Sequence, residues 1–369
     1  MRPGMRCLLE LLRSDSIDLT FDLQEWEQAL SLAEDEHVLP LAAHRCRQQR
    51  EIPQRLRDRL KAIEREAAIT AFYWSSELKG ILRSFEEREI AIVPLKGPSL
   101  AERLYGDTAR RVSYDLDLLV SKSEQARAEA ILRDVGFTPG APDDYHRQWY
   151  RGRTTVELHQ DVENPLAFNF HVESMLSRMQ RGSFEGQPCW QLTEADELLY
   201  LCLHGVRHRF ERLSLVVDLC FAFEKLTASA MGRYHAEIEE RTSLLTLGLA
   251  IARRLRPEIA PGRSTAESSA QQRHLDALAD RLWNQLLTET SEPLDWRTLH
   301  SFYLEMELPG RRWRRRLKHL RILGERIIGP DYEFAARFGF DRAWQVRLLR
   351  PVRLVRGAML EMISSGDTP

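Results

Sequence analysis

"VSYDLDLLV", residues 112–120, reads as a β-strand that carries two aspartates among large apolar neighbours. Aspartate is depleted from strands, so its presence twice in nine residues calls for a cause. Strand side chains alternate faces, which puts Asp115 and Asp117 on one side and Leu116 and Leu118 on the other. By strand rise the two aspartates lie roughly 6–7 Å apart. At an effective dielectric near 20 their charges repel by about 3 kcal/mol. Either this face is solvated and the charges are tolerated, or a cation stands against it. Magnesium takes carboxylate oxygens, keeps several waters and bridges to phosphates. Two carboxylates on one face can clamp a pair of such ions for in-line phosphoryl transfer.

That chemistry needs a third carboxylate near the attacking hydroxyl, and "TTVELHQDV" (154–162) supplies one. Glu157 sits mid-strand with His159 on its face, while Val156 and Leu158 point the other way. Upstream, "IAIVPLKG" (90–97) is a short buried strand closed by glycine. "PSLAERLYG" (98–106) follows as a helix with Pro98 suited to its first turn. "SKSEQARAEAILRDVG" (121–136) is a helix ending at Gly136. "YHRQWYRGRTTVELHQDV" (145–162) predicts two strands about an Arg-Gly-Arg turn.

The flanks are helical. "DLQEWEQALSLAEDE" (22–36) has helix-like apolar spacing with Asp22 as N-cap. From Pro53 to Glu87 an amphipathic pattern runs through Leu60, Ile63, Ala67, Phe72, Trp74, Leu78, Leu82 and Phe85, predicting one buried stripe. Beyond Leu192, "TEADELLYLCLHGVRHRFERLSLVVDLCFAFEKL" predicts two helices, the first capped by Thr193. More helices follow through Leu255 and at about 268–288, with a linker-like loop at 256–272. His204 and His208 share a helix face, but Gly205, Val206 and Arg207 between them are not a zinc-protease pattern. This helix is expected to close over the cleft, with His204, Arg207 or Asp218 touching ligand.

The composition is that of a globular protein: 43% of the 369 residues are hydrophobic and 29% charged, with a net charge of −2. Apolar runs fall short of the ~20 residues that span a membrane, and a cytoplasmic location is the expectation. Five cysteines, none in a CxxC pair, argue for buried thiols rather than a disulfide framework or zinc knuckle. Residues 311–356 hold 14 Lys and Arg against 4 Asp and Glu, a basic tail on an acidic body. Such a tail suits a polyanion, or an arginine-rich helical surface docked on that body.

The series "VPLKGPSLAERLYGDTARRVSYDLDLLV" (93–120) with "YHRQWYRGRTTVELH" (145–159) resembles the nucleotidyltransferases of the DNA polymerase β superfamily. Within them it is similar to the bacterial branch of uncharacterised nucleotidyltransferases. The parts that carry the resemblance are Gly97 in the turn, Asp115-Leu116-Asp117 on the next strand, and Glu157 on a later one. Lys96, Leu100, Tyr105, Arg111, Gly136, His146 and His159 match the branch as well. The superfamily turn usually has Gly followed by Gly or Ser. Here Pro98 intervenes and has no N–H to donate, leaving the phosphate to Ser99, the neighbouring helix amides and Lys96.

The resemblance implies an α+β protein. A small mixed-sheet nucleotidyltransferase core at 89–190 would lie between an N-terminal helical region (1–88) and a C-terminal all-helical domain with a basic tail (191–369). It implies that Asp115, Asp117 and Glu157 hold magnesium or manganese, with Glu157 helping to deprotonate the acceptor. Lys96, Gly97, Ser99, Arg111 and His159 would contact the nucleotide, Arg111 (or Arg110) by neutralising phosphate or pairing with a carboxylate. The implied reaction moves a nucleoside monophosphate from an NTP, ATP foremost, to a hydroxyl acceptor, with pyrophosphate released. The acceptor would be a small molecule, a sugar phosphate or a peptide; nucleic acid is not favoured. The alternatives are glycosyl transfer from a nucleotide sugar at the same metal site, and a non-catalytic nucleotide-binding module.

Overall fold

Strict alternation builds the sheet. In the computed structural model, which describes residues 1–13, 20–49, 52–142, 146–162, 172–225, 242–259 and 269–288 with Phe302 and Met306, five strands form one mixed sheet. They are β1 (Val93–Pro94), β2 (Leu116–Leu119), β3 (Thr138–Pro142), β4 (His146–Arg151) and β5 (Thr154–His159), in spatial order β1-β2-β5-β4-β3. β2 and β5 pair in parallel, and the other neighbours are antiparallel. Gly152, at φ +57°, turns the chain between β4 and β5, as the Arg-Gly-Arg reading requires. A separate hairpin, β6 (Gln180–Phe184) and β7 (Gln187–Gln191), closes through Glu185 and Gly186, both at positive φ.

The helices among the described residues are α1 (Met5–Arg13), α2 (Leu23–Asp35), α3 (Leu39–Arg47), α4 (Gln54–Glu86), α5 (Gly97–Tyr105), α6 (Gln125–Asp134), α7 (Val172–Leu176), α8 (Glu194–Arg207), α9 (Leu213–Lys225), α10 (Thr242–Leu255) and α11 (Ser269–Thr288). Asp22 caps α2 in a full capping box with Glu25, and the Thr193 side chain accepts from the Asp196 amide at the start of α8. The α+β architecture is that expected from the sequence. Among the described residues no helix is long and apolar enough to cross a membrane. All five cysteines are free and buried. The basic stretch 311–356 and residues 260–268 of the expected linker lie outside the described residues.

Each face of the sheet meets its own core. Leu116, Leu118, Trp149, Val156 and Leu158 pack with the C-terminal half of α4, with α6, and with Phe184 and Cys189 of the hairpin. Leu119 and Val93 join a second cluster that runs through α1–α3, α5, α8–α11 and the start of α4. The described residues before 61 and after 191 therefore share one hydrophobic cluster, and hydrogen bonds to backbone carbonyls tie them. Arg2 Nη2 donates to the Leu286 carbonyl at 2.8 Å, and Arg256 Nε to that of Leu12 at 3.1 Å. α4 serves both cores, burying Leu56 and Leu60 in one and Trp74 to Phe85 in the other. The single stripe expected along it is broken between them, where Phe72 is 76% exposed.

Two readings of strand ends change. Residues 112–115 are not strand: β2 begins at Leu116, so Asp115 sits in a bend just before it. The chain enters that bend from a 3₁₀ turn at Thr108–Arg110, where the next residue, Arg111, is held elsewhere. Its guanidinium donates to both oxygens of Asp218 on α9, Nε–Oδ1 at 3.0 Å and Nη2–Oδ2 at 3.0 Å. Tyr105 Oη donates to the same carboxylate at 2.6 Å. Asp218, only 2% exposed, is thus a tether between the sheet and the helical body rather than a ligand contact.

Removing one partner of a buried charge pair strands the other. Asp218→Ala should lower stability by about 3–5 kcal/mol, read as a loss of melting temperature. An unchanged melting temperature would contradict the tether.

Candidate active site

The parallel register of β2 and β5 sets Asp117 directly beside Glu157, and the antiparallel register of β4 adds Gln148 on the far side of Glu157. Two residues along β5, His159 falls on the same face. These side chains floor a cavity of about 580 Å³, roofed by α8 and the segment that follows it. Lys96, Gly97 and Asp115 form one wall, and His37, Tyr114 and Arg212 lie at another. The apolar alternates Leu116, Leu118, Val156 and Leu158 bury the opposite face, which is why the polar set cannot turn away from the cavity.

Asp117 is 2% exposed. His159 Nε2 donates to its Oδ1 at 3.1 Å, and Lys96 Nζ lies 3.2 Å from its Oδ2. Burial alone would raise the Asp117 pKa, but Lys96 and His159 override it and hold the carboxylate far below the usual range. Glu157 accepts from Gln148 Nε2 at 3.0 Å and lies 3.5 Å from His159 Nε2. Burial opposes its charge too, and these hydrogen bonds still bring it down to about 2. His159 is the reciprocal case: burial favours the neutral ring, and the two carboxylates raise its pKa above the ordinary value. Asp115 lacks such partners. Burial and the Asp117 charge push it up to about 6, with Lys96 acting against them.

Among the described residues, one trio of acid and imidazole side chains has ligand atoms close enough to share an ion: Asp117, Glu157 and His159, all within 4.8 Å. Oδ2 of Asp117 is buried and receives no hydrogen bond, and the Lys96 ammonium 3.2 Å away is the cation that now faces it. Hard carboxylate oxygens suit magnesium or manganese, while His159, whose Nε2–H donates to Asp117, would have to give up that proton to join them. Asp115 lines the same cavity from its bend but stands outside this trio.

Of the residues expected to meet nucleotide, Lys96, Gly97, Arg111 and His159 line the cavity, and Ser99 does not. Gly97 has φ +67°, and an added Cβ would sit 3.4 Å from the Asp115 carbonyl oxygen, so glycine lets the turn close on the bend. α5 starts there without a side-chain cap, and Pro98 occupies its first turn. Its first residue, Gly97, lines the cavity beside Lys96, which brings the positive end of a helix to the cavity wall, a suitable seat for phosphate. Ser99 is fully buried one turn in, where its hydroxyl accepts from Arg103, itself paired with Glu197 at 2.7 Å. Arg111 reaches the cavity edge, but its guanidinium is taken by Asp218.

α8 closes over the cavity as expected. Tyr200, His204 and Arg207 line it, with the His204 ring stacked on Tyr200 at 6.1 Å and edge-on to His208 at 4.7 Å. Burial and the Lys96 charge keep His204 well below the usual histidine pKa. His204 and His208 do not belong to a metal-binding trio. Three rim residues carried no sequence signal. His37, Tyr114 and Arg212 come from separate segments: the rings of His37 and Tyr114 lie 4.9 Å apart, and Arg212 Nη1 is 3.1 Å from His37 Nδ1. Tyr200 was legible only as the residue four before His204.

The model of the family described as uncharacterised nucleotidyltransferase matches residues 22–255, well over half of the chain. The chain belongs to that family. No curated protein matches it. Among solved structures it is similar to the solution structure of the antibiotic-resistance factor ANT(2'')-Ia, at 15% identity, covering 46% of this chain and 94% of that one, with a TM-score of 0.36. It is also similar to the crystal structure of ANT(2'')-Ia in complex with adenylyl-2''-tobramycin, at 14% identity, 46% and 95% coverage and a TM-score of 0.36. A third is an antigenic nucleotidyltransferase-like protein from Paracoccidioides brasiliensis, at 15% identity, 50% and 89% coverage and a TM-score of 0.37. The family match spans α2 to α10 and so contains every residue of the acidic trio, the glycine turn and α8.

If Asp117 is a cation ligand and Ser99 a structural hydroxyl, the two substitutions separate cleanly. Asp117→Asn should weaken Mn²⁺ binding by at least about ten-fold, measured by titration calorimetry. Ser99→Ala should leave both Mn²⁺ and nucleotide affinity within about two-fold. A large loss of nucleotide affinity in Ser99→Ala would contradict this placement.

Proposed function

We propose that the protein transfers a nucleoside monophosphate from an NTP to a hydroxyl acceptor and releases pyrophosphate. The observation that carries this reading is the pairing of Asp117 with Glu157 on one cavity face, beside a glycine turn at an uncapped helix start. Asp117 and Glu157, with Asp115 at the adjoining wall, are the residues that would hold magnesium or manganese. Bound there, the ion supplies positive charge for the oxygens of the reacting phosphate.

The chain's own groups do the rest. The first amides of α5 and Lys96 receive the polyphosphate. Glu157, ionised across the neutral range, accepts a hydrogen bond from the acceptor hydroxyl and orients its lone pair at the α-phosphorus. The new bond joins the acceptor oxygen to that phosphorus. The bond that breaks is the one to the bridging oxygen, which leaves with pyrophosphate, and the acceptor proton passes to a carboxylate. His159 and Gln148 fix the Glu157 carboxylate in place, and Tyr200, His204 and Arg207 of α8 line the cavity opposite it.

ATP is the donor we favour. The acceptor reaches the carboxylates past His37, Tyr114 and Arg212, and its class is a small molecule, a sugar phosphate or a peptide. Incubation with α-labelled and γ-labelled ATP and a cell lysate tests the reaction. The α-label should appear on an acceptor and the γ-label in pyrophosphate, with Asp117→Asn slower by about a hundred-fold or more. Transfer of a glycosyl mass from a nucleotide sugar, or equal labelling by the variant, would contradict it.

A further inference from the structure

Lys96 stands where two sites meet. It immediately precedes Gly97 at the uncapped start of α5, in extended backbone at φ −135° and ψ −150°. Its ammonium nevertheless does not face that helix end alone, because Nζ lies 3.2 Å from Asp117 Oδ2. The pair is secluded, with 15% of the lysine side chain and 2% of the aspartate side chain exposed. The other oxygen of Asp117 is taken by His159, so Oδ2 is the only position on this carboxylate open to a cation, and Lys96 is beside it. An ammonium and a divalent ion cannot both neutralise one buried oxygen at full strength, since they repel each other across the same few ångströms.

We propose that Lys96 is an exchangeable counter-ion, a positioning residue that couples metal loading to nucleotide binding. Lys96 neutralises Asp117 Oδ2 until that oxygen takes a divalent cation, and the released ammonium then serves the polyphosphate at the start of α5. The inference rests on the nucleotidyl-transfer reading of the site and adds an order to it. Divalent metal alone binds weakly, because Asp117 must give up a partner to take it. Nucleotide offers the displaced ammonium a new partner, so each ligand strengthens the other by the same factor. A lysine that merely balances charge in a folded core would add nothing to the coupling that direct contact between ion and phosphate supplies.

The test is calorimetric titration of Mn²⁺ into the full chain, with and without a non-hydrolysable ATP analogue, for wild type, Lys96→Met, Lys96→Arg and Asp117→Asn. For Lys96→Met the proposal predicts that Mn²⁺ alone binds about ten-fold tighter than to wild type, and that the mutual enhancement between metal and nucleotide shrinks to what direct contact between ion and phosphate supplies. Lys96→Arg should retain much of that enhancement. Should Lys96→Met fail to fold, Lys96→Gln carries the same expectation. Metal affinity that is unchanged or weaker in the neutral variants, while still abolished by Asp117→Asn, overturns the exchange and leaves the metal site standing. Mn²⁺ binding that is absent from wild type, or untouched by Asp117→Asn, overturns the underlying reading as well.

Discussion

The parallel pairing of β2 with β5 forces two carboxylates to face each other across adjacent strands. Neighbouring strands lie about 4.8 Å apart, and Asp117 and Glu157 occupy the same rung. Like charges opposite one another destabilise a sheet, and burial makes the repulsion worse. The protein meets this cost with a ring of donors: Lys96 and His159 on Asp117, and His159 and Gln148 on Glu157. A fold does not assemble such a ring around an unwanted charge when leucine would fill the space. The arrangement keeps both carboxylates ionised side by side.

The rest of the structure can be understood as support for that pair. The apolar face of the sheet locks onto α4 and α6, so no rotation of β2 or β5 can relieve the repulsion. Arg111, Tyr105 and Asp218 fasten the bend before β2 to α9, which fixes Asp115 and brings the helical body over the acids. α8 lines the cavity with Tyr200, His204 and Arg207. Gly97 lets α5 start close against the Asp115 backbone, placing a helix N-terminus next to the carboxylates.

Local signals were legible where one residue type has one physical use. Asp22 and Thr193 as caps, Gly152 as the β4–β5 turn, the long α4, and Asp117 with Glu157 on one polar face all follow from the residues themselves. What escaped depended on partners distant in sequence. Val112–Asp115 has strand propensity, yet the tie from Arg111 to Asp218, 107 residues away, draws the chain into a bend. Ser99 has the chemistry of a phosphate ligand, but helix geometry turns it into the core beneath Arg103. β3 ("TPGAP") and the β6–β7 hairpin are rich in proline, glycine and polar residues, which edge strands tolerate and strand propensity penalises. Periodicity reads the stripe on α4 as continuous, since it cannot show that a helix passes from one core to another.

Anomalous diffraction at the manganese edge, on crystals grown with Mn²⁺ and a non-hydrolysable NTP, bears on the central claim most directly. The account predicts a manganese peak bonded to Oδ2 of Asp117 and to a Glu157 oxygen, with the polyphosphate reaching it from the start of α5. A peak elsewhere, or a nucleotide bound away from this face with both carboxylates still held by Lys96 and His159, would contradict it.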